Sequence, residues 1–168
     1  MSILHFEPLN KENIDHKNQF ISALKTYALE LDDHLEKSTP PEIIEKWGNS
    51  IINKLGDSDR HLILCYIDNN LIGFFLGKVD HENHPDYIKV GYGYIMEFFV
   101  YKQYRSNGYG KLMFKELERL FFNDGIKKMY LTADPITGVP FWKKMGFKNT
   151  NEISPENNLE FYEKTIEI

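Results

Sequence analysis

The sequence predicts an α/β fold: a mixed, mostly antiparallel central sheet with flanking helices, in the order strand, helix, helix, three strands, helix, strand, helix and a closing pair of strands. Three observations predict it. Between positions 14 and 55 the apolar residues recur at helical spacing. Between 60 and 100 they gather in short aliphatic and aromatic runs broken by turn residues. Beyond 100 a glycine loop, a helical pattern, a strand and a short helix follow one another as in a strand-helix-strand unit.

Taken in order, residues 2–9 read as a short first strand. Ile14, Ile21, Leu24, Ala28, Leu31 and Leu35 then stand three, four or seven apart, the inner stripe of a long amphipathic helix. Pro40-Pro41 ends the break after it, and Ile44, Trp47, Ile51 and Leu55 mark the buried face of a second helix that Gly56 stops. These two helices are expected to cover one face of the sheet. Residues 60–67 and 71–79 flank Asp68-Asn69-Asn70, a hairpin signal, and a polar loop at 80–86 leads to a strand at 88–100. The helix after the glycine loop is expected to turn Leu112, Leu117, Leu120 and Phe121 inward. Residues 128–133 give another strand, Thr137 caps a short helix with Pro140 in its first turn and Gly146 at its end, and 159–166 form the last strand of a final hairpin.

No repeat, low-complexity tract or linker interrupts the chain, so residues 1–168 are expected to form a single domain, burying roughly 70% of the surface exposed when unfolded. With 12 Phe, 10 Tyr and 2 Trp, much of that core is aromatic. A net charge of -5 argues against general nucleic-acid binding. No run of 18 apolar residues and no basic leader followed by an apolar stretch occurs, so the expectation is a soluble cytoplasmic protein without a membrane partner, a monomer or homodimer. The lone Cys65 excludes an internal disulfide, and its apolar neighbours Leu62, Ile63, Leu64 and Ile67 suit a buried strand thiol, not a nucleophile. The acids and histidines between Asp80 and Asp86 lack the spacing of a metal site, so no metal is expected.

The most informative segment, from Val100 to Phe114, reads VYKQYRSNGYGKLMF. Arg105, Ser106, Asn107, Gly108, Tyr109 and Gly110 lie between a strand and a helix, and Lys111 follows. Closely spaced glycines let backbone N–H groups approach a ligand, and a helix start adds partial positive charge, so the loop suits phosphate. Four cations, Lys102, Arg105, Lys111 and Lys115, stand between 101 and 115 without one acid, although the chain is acidic. Met113 and Phe114 stand where a dinucleotide-binding loop wants its third glycine, and one residue between the glycines is too few for a nucleoside-triphosphate loop.

Three stretches together resemble the GNAT superfamily of acetyl-coenzyme A-dependent N-acetyltransferases. The strand Ile95-Met96-Glu97-Phe98-Phe99-Val100 is similar to the family's fourth strand, Arg105 to Gly110 to its Arg/Gln-x-x-Gly-x-Gly/Ala pyrophosphate loop, and Phe141-Trp142-Lys143-Lys144-Met145-Gly146-Phe147 to its Tyr-x-x-x-Gly-Phe segment. The resemblance covers about residues 62–147 and implies a GNAT-like sheet, acetyl-CoA as cosubstrate and direct acetyl transfer to a primary amine. It implies Arg105, Ser106, Asn107, Gly108, Tyr109, Gly110 and Lys111 for the pyrophosphate. Phe98, Phe99 and Val100 would lie along the thioester, with a backbone N–H near Phe99 or Val100 for the oxyanion.

Glu97 is the candidate base, because a lysine-like amine near ~10.4 must lose a proton and apolar neighbours raise a carboxyl toward that task. Whether Glu97 faces the acceptor depends on a possible bulge, since strand side chains alternate. Two positions depart from the family pattern. Trp142 replaces the usual tyrosine acid and can only donate a hydrogen bond, leaving Tyr101, Tyr130 and Tyr162 as stand-ins. Pro135 replaces an asparagine that holds the pantetheine arm, leaving Asp134 or Thr132 for that contact. These departures keep open a non-catalytic CoA-binding or regulatory module, and a longer acyl-CoA is a further alternative. Asp32, Asp33, Glu36 and Glu42 suit either a cationic acceptor or a solvated helix face. The acceptor, a small-molecule or peptide amine, stays open among polyamine, aminoglycoside, amino acid and protein N-terminus.

Overall fold

The computed structural model describes residues 3–56, 59–83 and 88–168. Its elements are β1 (Leu4–Pro8), α1 (Ile14–His34), α2 (Pro41–Asn53), β2 (Arg60–Ile67), β3 (Asn70–Val79), β4 (Gly93–Val100), a 3-10 turn (Lys102–Tyr104), α3 (Tyr109–Asn123), β5 (Lys128–Thr132), α4 (Gly138–Lys144), β6 (Lys148–Ile153) and β7 (Glu160–Thr165). The strands form one sheet in the order β1-β2-β3-β4-β5-β7-β6. Among the described residues only β4 and β5 pair in parallel, because the α3 crossover returns the chain in the same direction. This is the mixed α/β architecture that the sequence predicts.

Two apolar layers sandwich the sheet. On one face, Phe20, Ala23, Leu24 and Ala28 of α1 and Ile44, Ile51 and Ile52 of α2 meet Leu62, Leu64, Phe74, Leu76 and Phe99. On the other, Met113, Phe114, Leu117 and Phe121 of α3 meet Ile63, Cys65, Phe75, Ile95 and Leu131. β2 and β3 are therefore covered on both sides, which their unbroken apolar runs require. Cys65 is wholly buried, and burial pushes its thiol up, so it stays protonated.

Several faces differ from the periodicity reading. α1 is rotated so that Phe20 and Ala23 turn inward while Ile14 is exposed; Phe20 sets this by packing edge-on against Phe74 at 5.1 Å. α2 ends at Asn53, before Gly56. In α3, Met113 and Phe114 point inward and Leu112 outward. Glu118 is buried on the same helix, where its carboxylate accepts Lys164 Nζ at 3.2 Å and the Glu167 N–H at 3.3 Å. Burying this acid is tolerable because it is paired and hydrogen bonded.

β4 begins at Gly93, not at 88. The Ile88 and Lys89 N–H groups instead donate to Asp80 at 3.1 and 3.0 Å, and the Tyr130 hydroxyl donates to the same oxygen. Asp80, read from the sequence as part of a solvated loop, is thus a buried anchor beside Lys78 Nζ at 3.5 Å. His84, Pro85 and Asp86 lie outside the described residues.

Gly73 packs against the end of β4, where an added Cβ would stand 2.1 Å from the Phe99 carbonyl oxygen. The obstacle is backbone, which yields little. Gly73→Ala is expected to cost about 2–3 kcal/mol, read as a fall in Tm of roughly 4–12 °C.

Candidate active site

β4 and β5 pair only at Gly93 with Met129 and Tyr94 with Tyr130. Beyond that they part, leaving the cleft-side backbone of β4 without a neighbouring strand. The parting follows a bulge in β4: Ile95 faces Gly77 but Glu97 faces Leu76, so Met96 is an extra residue. A bulge bends its strand and increases the local twist. The wedge encloses a cleft of about 520 Å³. Phe98, Phe99 and Val100 line it from β4, and Tyr27, Glu30, Leu31 and His34 roof it from one stripe of α1.

The same bulge answers which way Glu97 points. Leu76, its cross-strand partner, belongs to the α1–α2 layer, and cross-strand partners share a face. Glu97 accordingly accepts a hydrogen bond from the Tyr27 hydroxyl of α1. The Phe98 N–H donates to the same Tyr27 oxygen, so Tyr27 joins the carboxylate to the β4 backbone. Burial pushes the Glu97 carboxyl up to about 7, against the smaller, opposing effect of the Tyr27 hydrogen bond. Tyr27 is itself pushed well above the ordinary tyrosine value, by burial first and by Glu97 second, and so remains a donor. Tyr94, stacked on Tyr130 with ring centroids 4.6 Å apart, is raised by the same two causes.

At the other end of the cleft, Ser106 at φ 65 and Gly108 at φ 83 both adopt the left-handed region. They bracket Asn107 and curl the backbone just before α3, whose first N–H groups have no partner within the helix. The Asn107 side chain donates outward to the Tyr104 and Arg105 carbonyls at 3.3 and 3.0 Å, so it shapes the loop and does not face the cleft. Ser106, Gly108, Gly110 and Lys111 line the cavity; Tyr109 opens the helix and packs against the core. Gly110 is needed for close approach, since a Cβ there would stand 3.0 Å from the Phe141 ring.

Arg105 lines the same cleft, and its side chain reaches across to α1. Its guanidinium forks onto Glu30 of α1 at 2.7 and 2.6 Å, and its Nε donates to the Val100 carbonyl at 2.9 Å. Its side chain thereby ties α1 to the end of β4. Asp134 is engaged too. Its carboxylate accepts the Ile136, Thr137 and Gly138 N–H groups at 3.0, 2.8 and 3.1 Å, capping α4 in place of the expected Thr137 side chain, and lies 3.2 Å from His34 Nδ1. Thr132, the other candidate for that contact, accepts a hydrogen bond from Asn157 at 3.1 Å.

Trp142 borders the cleft but is nearly buried, edge-on to Phe98 at 4.9 Å and flanked by Phe114 and Phe147. The three tyrosine stand-ins lie elsewhere. Tyr101 bonds Ser22 and Thr26, Tyr130 bonds Asp80, and Tyr162 is buried in the α3 layer. Sequence reasoning missed Tyr27, Glu30, His34 and Lys144 as cleft residues. For Tyr27 a signal existed: it stands four residues from both Ala23 and Leu31, a polar-tipped ring within the inner stripe of α1. Asp32, weighed as an acceptor-side acid, instead fastens the α1–α2 turn by accepting the Thr39 N–H and hydroxyl at 2.7 and 3.0 Å.

Residues 23–147 match the family model described as the acetyltransferase (GNAT) family. No curated protein matches the chain. Solved structures share the fold. The PaiA N-acetyltransferase of Thermoplasma acidophilum, in complex with coenzyme A, is 19% identical with a TM-score of 0.69, covering 97% of this chain and 99% of that one. A GNAT-family acetyltransferase of Staphylococcus aureus Mu50 is 15% identical with a TM-score of 0.74 over 98% and 100% of the two chains. An aminoglycoside 6'-N-acetyltransferase complexed with coenzyme A is 13% identical with a TM-score of 0.70 over 98% of each.

Proposed function

The chain belongs to the GNAT acetyltransferase family, and from that premise we propose that it transfers an acetyl group from acetyl-CoA to a primary amine by direct attack on the thioester. One observation carries the reading: a single cleft runs from Tyr27, the hydrogen-bond partner of Glu97, to the curled loop that opens α3. Glu97 is not itself among the residues that line the cleft; Tyr27 links it to one end, and the anion-binding backbone at the other suits a thioester borne on a long phosphorylated arm. The coenzyme A complexes of two fold relatives support the same cosubstrate.

In this mechanism Glu97 accepts the proton of the attacking amine, directly or through water, as the new N–C bond forms. Its value of about 7 is suited to that task, since a base poised near the working pH is both ionised and basic enough. The oxyanion donor is the Val100 N–H. Tyr101 N–H bonds Ile72 of β3, and strand N–H groups alternate in direction, so that of Val100 faces the cleft. The C–S bond then breaks. With Trp142 in the tyrosine position, the thiolate leaves without a dedicated acid, which a thiol pKa of about 8.5 permits. The backbone of Ser106, Gly108 and Gly110, with Lys111, holds the pyrophosphate, while Phe98, Phe99 and Val100 line the arm. Asp134 acts by fixing α4, and Trp142 by packing the cleft wall.

The test is thiol release from acetyl-CoA across a panel of polyamines, aminoglycosides, amino acids and peptides. Steady release with one acceptor class supports transfer. Binding without release from any acceptor would favour the non-catalytic module that Trp142 and Pro135 suggest, and faster release from longer thioesters would replace acetyl by a larger acyl group. Before that, saturating CoA or acetyl-CoA, at about 100 times Kd, is expected to raise Tm by roughly 5–10 °C while ATP and NAD leave it unchanged.

A further inference from the structure

Past Tyr94 the cleft-side edge of β4 has no strand beside it, so a backbone group on that edge needs a partner from elsewhere. Its pairing with β3 fixes which groups these are. The Phe99 carbonyl oxygen lies against Gly73, and the Tyr101 N–H donates to the Ile72 carbonyl at 2.8 Å. A strand residue sends its N–H and C=O to one edge and the next residue sends its own to the other, so both polar groups of Val100 face the cleft. Arg105 Nε takes the carbonyl at 2.9 Å, which leaves the N–H for the oxyanion. The guanidinium is itself held at two further points. Its terminal nitrogens fork onto the Glu30 carboxylate at 2.7 and 2.6 Å, and it lies over the Phe99 ring, 5.8 Å from the centroid. Glu30 therefore reaches the end of β4 through a bidentate pair, the kind of contact that fixes geometry as well as charge.

We propose that Glu30, acting through Arg105, is a positioning residue for the oxyanion donor at Val100. This rests on the acetyl-CoA reading above and extends it to a residue of α1. Without the carboxylate the guanidinium is free to swing away, and the Val100 carbonyl stands unpaired with its partial negative charge beside the developing oxyanion. With it, the carbonyl is satisfied and the adjoining N–H is kept on the thioester. The fork requires arginine, because a lysine ammonium is a point charge without the planar set of donors that spans carboxylate and carbonyl together.

The experiment measures by calorimetry the Kd of CoA and of an acetyl-CoA analogue with CH2 for sulfur and CF3 for the methyl group. This ketone hydrates readily and places a hydroxyl where the oxyanion would form, so it probes the donor without any amine. The variants are Glu30→Gln, Arg105→Gln and the two combined, and the readout is the ratio of analogue affinity to CoA affinity. Each single variant is expected to lower that ratio about tenfold, with no further fall in the double variant and with CoA affinity of Glu30→Gln within about twofold of the unaltered chain. An unchanged ratio in Glu30→Gln, or losses that multiply in the double variant, would overturn the assignment. Equal losses for CoA and the analogue would mark a merely structural tie and overturn it too. If the unaltered chain binds CoA but gains nothing from the ketone, no donor serves the oxyanion and the assignment falls. If it binds no CoA, the acetyl-CoA reading itself fails, a result separable from loss of the Glu30 role, which leaves CoA binding intact.

Discussion

Replacing Glu97 by glutamine is expected to lower kcat about 10²–10⁴-fold while leaving CoA affinity near its starting value. The amide is nearly isosteric and still accepts the Tyr27 hydroxyl, so the change removes basicity and little else. The pH profile gives the sharper signature. A base must be ionised to accept a proton, so kcat/KM of the unaltered chain should rise with pH and level off above about 7. In the glutamine variant that inflection should vanish. A variant that keeps both the rate and the inflection would remove Glu97 from the mechanism.

The same residue predicts a stability effect of opposite benefit. Folding raises the Glu97 value from 4.5 to about 7, so protonation favours the native state. That contribution is fully present below pH 4.5 and is lost as pH rises through about 7. Above pH 7 the ionised carboxylate costs up to about 3 kcal/mol relative to a neutral group, at about 1.36 kcal/mol per pH unit, and less where water reaches it. Glu97→Gln should therefore melt higher than the unaltered chain at pH 8 and nearly alike at pH 4. A less active but more stable variant is the expected mark of a residue kept for chemistry.

Gly108→Asp is expected to weaken CoA and acetyl-CoA binding by about 100-fold or more, read by calorimetry or by loss of the thermal shift. The cause is electrostatic. A Cβ at Gly108 would meet nothing within 4 Å, so no clash with the chain arises. The φ of 83 costs a side chain only about 1–2 kcal/mol, and aspartate tolerates the left-handed region better than most residues. What aspartate adds is a negative charge inside a ring of N–H donors. Gly108→Ala should therefore bind only modestly worse, and Gly108→Asn should fall between the two. Normal affinity in the aspartate variant would mean that the loop is a turn and nothing more.

Much of this was legible without coordinates where a local rule decides the outcome. The β2–β3 hairpin, the loop-helix junction at Gly108 and the short helix before Gly146 all lie within a residue or so of their predicted places, because turn residues and apolar runs act over a few positions. The rotation of α1 was not legible. Its stripe holds more apolar candidates than inner positions, and the choice of Phe20 over Ile14 rests on Phe74, more than fifty residues away in sequence.

The sequence by itself determined the order of elements, the phosphate-suited loop and the presence of a carboxyl in an apolar strand, since each depends on residues adjacent along the chain. Only the tertiary structure decided that Glu97 faces α1, because one extra residue in β4 reverses the alternation that would otherwise set its side. It alone turned Arg105 onto Glu30 and, among the described residues, left Lys111 and Lys144 at the cleft without an ion-pair partner, because charge pairing depends on distances across elements remote in sequence.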